Sequence, residues 1–94
     1  MVRSASTDAP AAQPWLQYEA RSVYGGALTG LGRLEEAERQ LLSAHEGLVA
    51  LGTKIPASEK PMIGHTIDRL VALYRATGNE ERIAFWASRQ SSSR

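Results

Sequence analysis

The sequence predicts an all-α fold in which four helices form two antiparallel helical hairpins. Apolar residues recur every three or four positions, most clearly over residues 25–51, and this is the period of an amphipathic helix. Glycines stand where the pattern breaks, at Gly32, Gly52 and Gly78, as expected just after helix ends. No segment alternates convincingly between apolar and polar residues as a strand would. Because the connections are short, consecutive helices should run antiparallel.

The first helix is predicted over residues 15–31, directly after Pro14. Proline suits the first turn of a helix because its missing N–H costs nothing there. The apolar positions of this helix are Tyr18, Tyr24, Leu28 and Leu31. Its interior also holds Gly25, Gly26 and Gly30. Each of these glycines costs about 1 kcal/mol relative to alanine, so we expect the close approach of another helix to explain them.

The second helix is predicted over Leu34–Leu51, after a turn at Gly32 and Arg33. Its apolar stripe consists of Leu34, Ala37, Leu41, Ala44 and Leu48. Its other face carries Glu35, Glu36, Glu38 and Arg39. Such a charged run is typical of a solvated surface. Gly52 fits the C-terminal cap of this helix.

The third helix follows a connection at residues 53–57 that contains Pro56. Ser58 is the expected N-cap, with Glu59 and Pro61 in the first turn, and the helix should end near Thr77. Its buried side is predicted to hold Ile63, Ile67, Leu70, Val71 and Tyr74.

A short fourth helix is predicted over residues 80–89, after a break at Gly78 and Asn79. Its Phe85 and Trp86 are adjacent, so they cannot both face the core and one of them should lie on an outer face. Trp15 and Trp86 are predicted either to fill the small core or to anchor a partner.

The 94 residues allow one small domain. We expect a disordered lead at residues 1–13, a helical domain at 14–90 with units at 14–52 and 58–90, and a tail at 91–94. Eleven basic and ten acidic residues nearly cancel, whereas a nucleic-acid interface usually has a basic surplus on one face.

The chain contains no cysteine, which excludes disulfides, thiolate metal sites and cysteine nucleophiles. No apolar run approaches the roughly 18 residues of a membrane span, and residues 1–14 lack the apolar core of a secretory signal. These features predict a cytoplasmic protein that binds neither nucleic acid nor membrane.

Catalytic and metal-binding patterns are weak. His65 and Asp68 lie one helical turn apart and could begin a metal site, but His45 is the only other histidine and is expected to be solvated beside Glu46. The glycines of the first hairpin lack the spacing of a phosphate-binding loop, and no nucleophile elbow is present. We therefore expect no enzyme activity, no metal and no cofactor.

The two helix breaks show an internal repeat. Leu31 precedes Gly32 and Thr77 precedes Gly78, and a glutamate follows each glycine at the third position. Core positions then fall at Ala37 and Ile83, five residues beyond each glycine. The two glycines are 46 residues apart.

This pattern resembles the tetratricopeptide repeat family, in which two antiparallel helices form each unit. The matching residues are Tyr24, Gly25, Leu28, Gly32, Ala37, Leu41 and Ala44 in the first unit, and Leu70, Tyr74 and Gly78 in the second. The second unit has Ile83 at the repeat position where the family prefers alanine. The spacing exceeds the usual period of about 34. It is more similar to the long-loop type of kinesin light chains and bacterial signalling proteins.

The resemblance implies a right-handed superhelical fragment that binds another protein or a peptide as a scaffold or adaptor. In that family the first helix of each unit lines a groove. Transferred to this chain, the groove residues are Glu19, Ser22, Thr29, His65, Asp68 and Arg75.

Two further interpretations remain open at this stage. Repeat stacks usually need about three units to bury their faces, so a two-unit chain should dimerise or belong to a larger array. One alternative is thus a self-associating structural module, a homodimer formed through Phe85 and Trp86. The other is an excised C-terminal regulatory segment of a larger bacterial signalling protein.

Overall fold

The computed structural model describes residues 13–92, which form four α-helices and no strand. The helices are α1 (Leu16–Gly30), α2 (Leu34–Leu51), α3 (Pro61–Thr77) and α4 (Glu80–Ser92). Two 3₁₀ turns, Gly52–Lys54 and Ala57–Glu59, connect α2 to α3. The predicted all-α fold is confirmed. Residues 1–12 of the predicted lead and residues 93–94 of the predicted tail lie outside the described part of the chain.

The helices pack as two hairpins, α1 on α2 and α3 on α4. Helix α3 is the central element, because it also contacts α1 and α2. The main core takes buried residues from all four helices. Its fully buried members include Leu41, Leu70 and Leu73. A smaller cluster of Trp15, Leu48, Ile55 and Met62 closes the end where the α2–α3 connection lies.

The first hairpin turns at Gly32, whose backbone φ of +81° lies in the left-handed region. This conformation favours glycine because a Cβ would be strained there. The backbone N–H of Arg33 then donates to the carbonyl oxygen of Leu28 over 2.9 Å, which satisfies a carbonyl that the end of the helix leaves free. Helix α2 begins and ends at the predicted residues.

Two glycines allow α1 and α2 to approach closely. A Cβ added to Gly25 would lie 2.5 Å from Cγ of the fully buried Leu41. Further along the pair, the ring of Tyr18 lies directly against Gly47, where a Cβ would overlap it. The close crossing of α1 and α2 therefore requires glycine at both positions. The sequence pattern predicted this for Gly25 but not for Gly47.

The start of α3 differs from the prediction. Ser58 does not cap the helix, because Ala57–Glu59 forms a separate 3₁₀ turn and α3 begins only at Pro61. Pro61 occupies the first turn, and no side chain caps this end of the helix. Ile55, which is only 1% exposed, anchors the preceding connection in the smaller core cluster.

The second hairpin turns at the predicted Gly78 and Asn79. Gly78 has a backbone φ of +76°, and the side-chain oxygen of Asn79 accepts a hydrogen bond from the backbone N–H of Arg82 over 3.1 Å. Asn79 thus acts as the N-cap of α4. Helix α4 continues to Ser92, three residues beyond its predicted end, so the predicted tail at residues 91–94 is helical in its first half.

A hydrogen bond also links the hairpins at this end. The hydroxyl of Tyr74 in α3 donates to Glu38 Oε2 in α2 over 2.8 Å. Burial raises the pKa of Tyr74 to about 12, with a further contribution from this hydrogen bond to a carboxylate. Glu38 was predicted to be solvated, but it is half-buried here and fixes α3 against α2.

Within residues 13–92, none of the helices combines the length and the apolar character needed to cross a bilayer.

Candidate interaction surface

Ser22 was predicted to line a groove, and the structure contradicts this. It is fully buried between α1 and α3, where its Oγ lies 2.7 Å from Oγ1 of Thr66. Arg69 donates to the same Ser22 Oγ over 2.6 Å. Buried polar groups are normally satisfied in this way. Ser22 therefore joins the two helices and cannot contact a ligand.

Arg69 also takes part in this contact, and the groove prediction did not include it. A Cβ added to Gly26 would lie 3.2 Å from Cδ of Arg69, so the arginine side chain crosses α1 where Gly26 leaves room. The available signal was Gly26 itself, a glycine inside a helix without an evident reason. Together with the Ser22–Thr66 pair, this contact fixes α1 rigidly against α3.

Glu19 and Thr29 are also turned inward rather than toward a ligand. Glu19 is half-buried, and its Oε1 is buried without a hydrogen-bond partner among the described residues. The hydroxyl of Thr29 donates to the carbonyl oxygen of Gly25 in its own helix over 2.9 Å. The predicted groove residues of α1 thus mostly make contacts within the protein.

His65, Asp68 and Arg75 are exposed on α3, as the groove prediction requires. Asp68 Oδ1 accepts a hydrogen bond from Nε2 of Gln90 over 2.8 Å. His65 and Asp68 border the same open depression of about 490 Å³ beside Lys60 and Gln90, and Arg75 does not line it. No group of three or more acidic or histidine side chains in residues 13–92 could hold a metal ion.

The structure also contradicts Trp86 as a self-association residue. Its side chain is 6% exposed and packs in the main core, with the ring of His45 edge-on at 4.8 Å between centroids. Phe85 is 48% exposed, and the guanidinium of Arg89 lies 3.9 Å from its ring centroid. Of the adjacent pair, Trp86 is the core residue and Phe85 is the outer one.

His45 of α2 is therefore half-buried against Trp86 of α4 rather than solvated. Burial lowers the pKa of His45 below its usual value of 6.5, and the positive charge of Arg89 lowers this pKa further. The folded protein consequently favours the neutral imidazole.

This lowered pKa predicts destabilisation in acid. Because the unfolded chain binds a proton at His45 more readily, stability should be retained above pH 6.5 and lost as the pH falls below that value. We expect the melting temperature to fall between about pH 7.5 and about pH 5.5, and to fall less in His45→Gln. His65→Gln is the matched control at an exposed histidine. Equal losses in wild type and His45→Gln would contradict the assignment.

A continuous apolar surface lies on the outer side of α1. Leu16 is 47% exposed, Val23 is 51% exposed and Leu31 at the helix end is 73% exposed. Ala20 and Ala27, which lie between them on the same face, are also exposed. We call Leu16, Ala20, Val23, Ala27 and Leu31 the α1 stripe.

No charged side chain interrupts the α1 stripe. The two charged residues of α1 lie to its sides: Glu19 Oε1 is buried, and Arg21 donates to Ser43 Oγ of α2 over 2.7 Å. Arg21 also stacks on the ring of Tyr18 at 5.5 Å. The sequence analysis did not predict this surface. The spacing of four, three and four residues from Leu16 to Ala27 could have indicated it, because this spacing places apolar residues on one face of a helix.

Comparison of the chain with family models, with curated proteins and with solved structures gave no match.

Proposed function

We propose that this protein is a protein-binding helical module with no chemistry of its own, and that it binds through the α1 stripe. One observation carries the proposal: Leu16, Val23 and Leu31 expose about half or more of their surface on a single helix face without a charge. Contiguous exposed apolar surface in a water-soluble domain commonly marks an interaction site.

The energetics of the surface support this role. Complete burial of a valine or leucine side chain contributes about 1.5–3 kcal/mol, and roughly half of that remains to be gained at Leu16 and Val23, which are 47% and 51% exposed. The helix is already held by Ser22, Thr66 and Arg69. A partner would therefore bind a preformed surface and would order little of the chain on binding.

We further propose that the hairpins are tetratricopeptide-like units and that the protein is a cytoplasmic scaffold. The contact of Gly25 with Leu41 and the complete burial of Ala37 and Ala44 support the first point. The absence of cysteine supports the cytoplasmic location, because secreted domains of this size usually contain disulfides.

Site-specific photocrosslinking tests the proposed function. A photoreactive amino acid in place of Val23 should form covalent adducts with protein in living cells, because a partner buries this position. The same amino acid in place of Arg39, which is exposed on the charged face of α2, is the control and should give few adducts. The adduct masses then separate a second copy of the chain from another protein. Equal yields at the two positions, or no adduct at Val23, would refute the proposal.

A further inference from the structure

We infer that the α1 stripe binds a second copy of this chain, with the two α1 helices antiparallel across a two-fold axis. This inference rests on the proposed function, because it names the partner of the same surface. It follows from the spacing, the residue sizes and the charges along the stripe.

The spacing of the stripe is that of a helix–helix seam. Leu16, Ala20, Val23 and Ala27 follow one another at four, three and four residues, which are successive d, a, d and a positions of a heptad. Two helices with this spacing pack along their length at a crossing angle of about 20°. The face points away from α2 and α3, whose contacts with α1 lie at Gly25 and Ser22. A second α1 helix can therefore approach without any rearrangement of residues 13–92.

Residue size selects the antiparallel orientation. Large and small residues alternate along the first four positions of the stripe, from Leu16 to Ala27. In an antiparallel pair with a and d layers, Leu16 faces Ala27 of the second copy and Ala20 faces Val23 of the second copy. The two-fold axis repeats both contacts, so each layer combines a large residue with an alanine. In a parallel pair, identical residues would face each other, and a leucine layer and a valine layer would alternate with two layers of alanines.

The charges of α1 do not oppose the pairing of two copies. Two identical surfaces repel each other if a charge lies at their centre, but Glu19 and Arg21 both lie to the sides of the stripe. Pairing therefore buries apolar side chains without removing an ion from water, which would cost several kcal/mol.

The size of the surface predicts the strength of the dimer. A helix with the 15 residues of α1 is about 22 Å long. An interface confined to one such helix from each copy lies at the low end of specific interfaces, near 1,000 Å² in total. We expect a dissociation constant in about the micromolar range, and thus a reversible monomer–dimer equilibrium.

The absence of native cysteines makes disulfide trapping a direct test. Leu16→Cys and Ala27→Cys chains, mixed and mildly oxidised, should form a mixed disulfide as the dominant dimer. Each variant alone should form little, because residues 11 positions apart along antiparallel helices are separated by about 16 Å, beyond the Cα separation of about 7 Å that a disulfide spans. Arg39→Cys is the control for random collisions.

A second pair, Ala20→Cys with Val23→Cys, must also give a mixed disulfide above the level of Arg39→Cys, so that a folding defect in one variant cannot decide the result. These two positions are offset by only about 4.5 Å along antiparallel helices, so homodimers of this pair do not bear on the orientation. A dominant Leu16→Cys homodimer would overturn the antiparallel pairing. Trapping no greater than that of Arg39→Cys in every mixture would overturn the second copy as partner. If photoreactive Val23 then crosslinks to another protein, the proposed function stands without this inference; if it forms no adduct, both fail.

Discussion

Replacement of Trp86 by alanine should lower the free energy of unfolding by about 3–5 kcal/mol, the usual cost of removing a large aromatic side chain from a core. Trp86 is 6% exposed and joins α4 to the main core, where it packs with Leu70, Leu73 and other residues of α3. A single core of this size rarely supplies more than about 3–5 kcal/mol. We therefore expect most of the variant to be unfolded at room temperature, measured by circular dichroism and urea titration.

The neighbouring Phe85→Ala variant is the matched control. Phe85 is 48% exposed and loses mainly its stacking with Arg89, which at an exposed site is worth about 0.5–1 kcal/mol. Its cooperative unfolding should survive. A Trp86→Ala protein that melts within a few degrees of the wild type would show that Trp86 does not hold α4 in place.

Gly25→Ala and Gly30→Ala should change stability in opposite directions. Both remove a helical glycine, which in a helix interior should by itself stabilise the protein by about 1 kcal/mol and by less at Gly30, the last residue of α1. At Gly25 the added Cβ would lie 2.5 Å from Cγ of Leu41 and 3.4 Å from the backbone oxygen of Ala37. Leu41 is fully buried and cannot swing into solvent. Overpacking of about 1–3 kcal/mol should therefore exceed the helical gain.

At Gly30 an added Cβ would contact nothing within 4 Å, so Gly30→Ala should keep its gain. For a domain of this length, 1 kcal/mol shifts the melting temperature by about 4–8 °C. Thermal melts should thus place Gly30→Ala above the wild type and Gly25→Ala below it. A stabilised Gly25→Ala would mean that α1 and α2 are not in the close contact described.

Regular periodicity explains which parts of the fold could be predicted. Helix α2 has a single apolar stripe, and both of its ends are marked by glycines, so its bounds were predicted correctly. The start of α3 was not, because Ser58 and Pro61 are each compatible with a helix start. Only the tertiary packing of Ile55 decides where the chain leaves its 3₁₀ turns and enters the helix.

Side-chain direction was harder to predict where a helix is apolar on more than one side. Helix α1 carries Leu28 and Gly25 toward α2, Ser22 toward α3, and Leu16 and Val23 outward. No single stripe can identify the buried face of such a helix. Ser22 was consequently assigned to a surface although it lies inside, and the exposed apolar residues were overlooked.

The same limit applies to Phe85 and Trp86. Adjacent positions on a helix show that one residue is inside and one outside, but not which is which. Their assignment depends on the direction from which α3 and His45 of α2 reach α4. This information is long-range and is absent from the local pattern.

Sedimentation equilibrium of the wild type and of Val23→Glu, from low micromolar to near-millimolar concentration, tests the central claim that the outer face of α1 is an interface. Val23 is exposed, so the substitution should leave the fold intact, as circular dichroism would verify. We predict that the average mass of the wild type rises with concentration toward that of a dimer while Val23→Glu remains monomeric. Identical mass curves for the two proteins would contradict the pairing of α1 helices through this face.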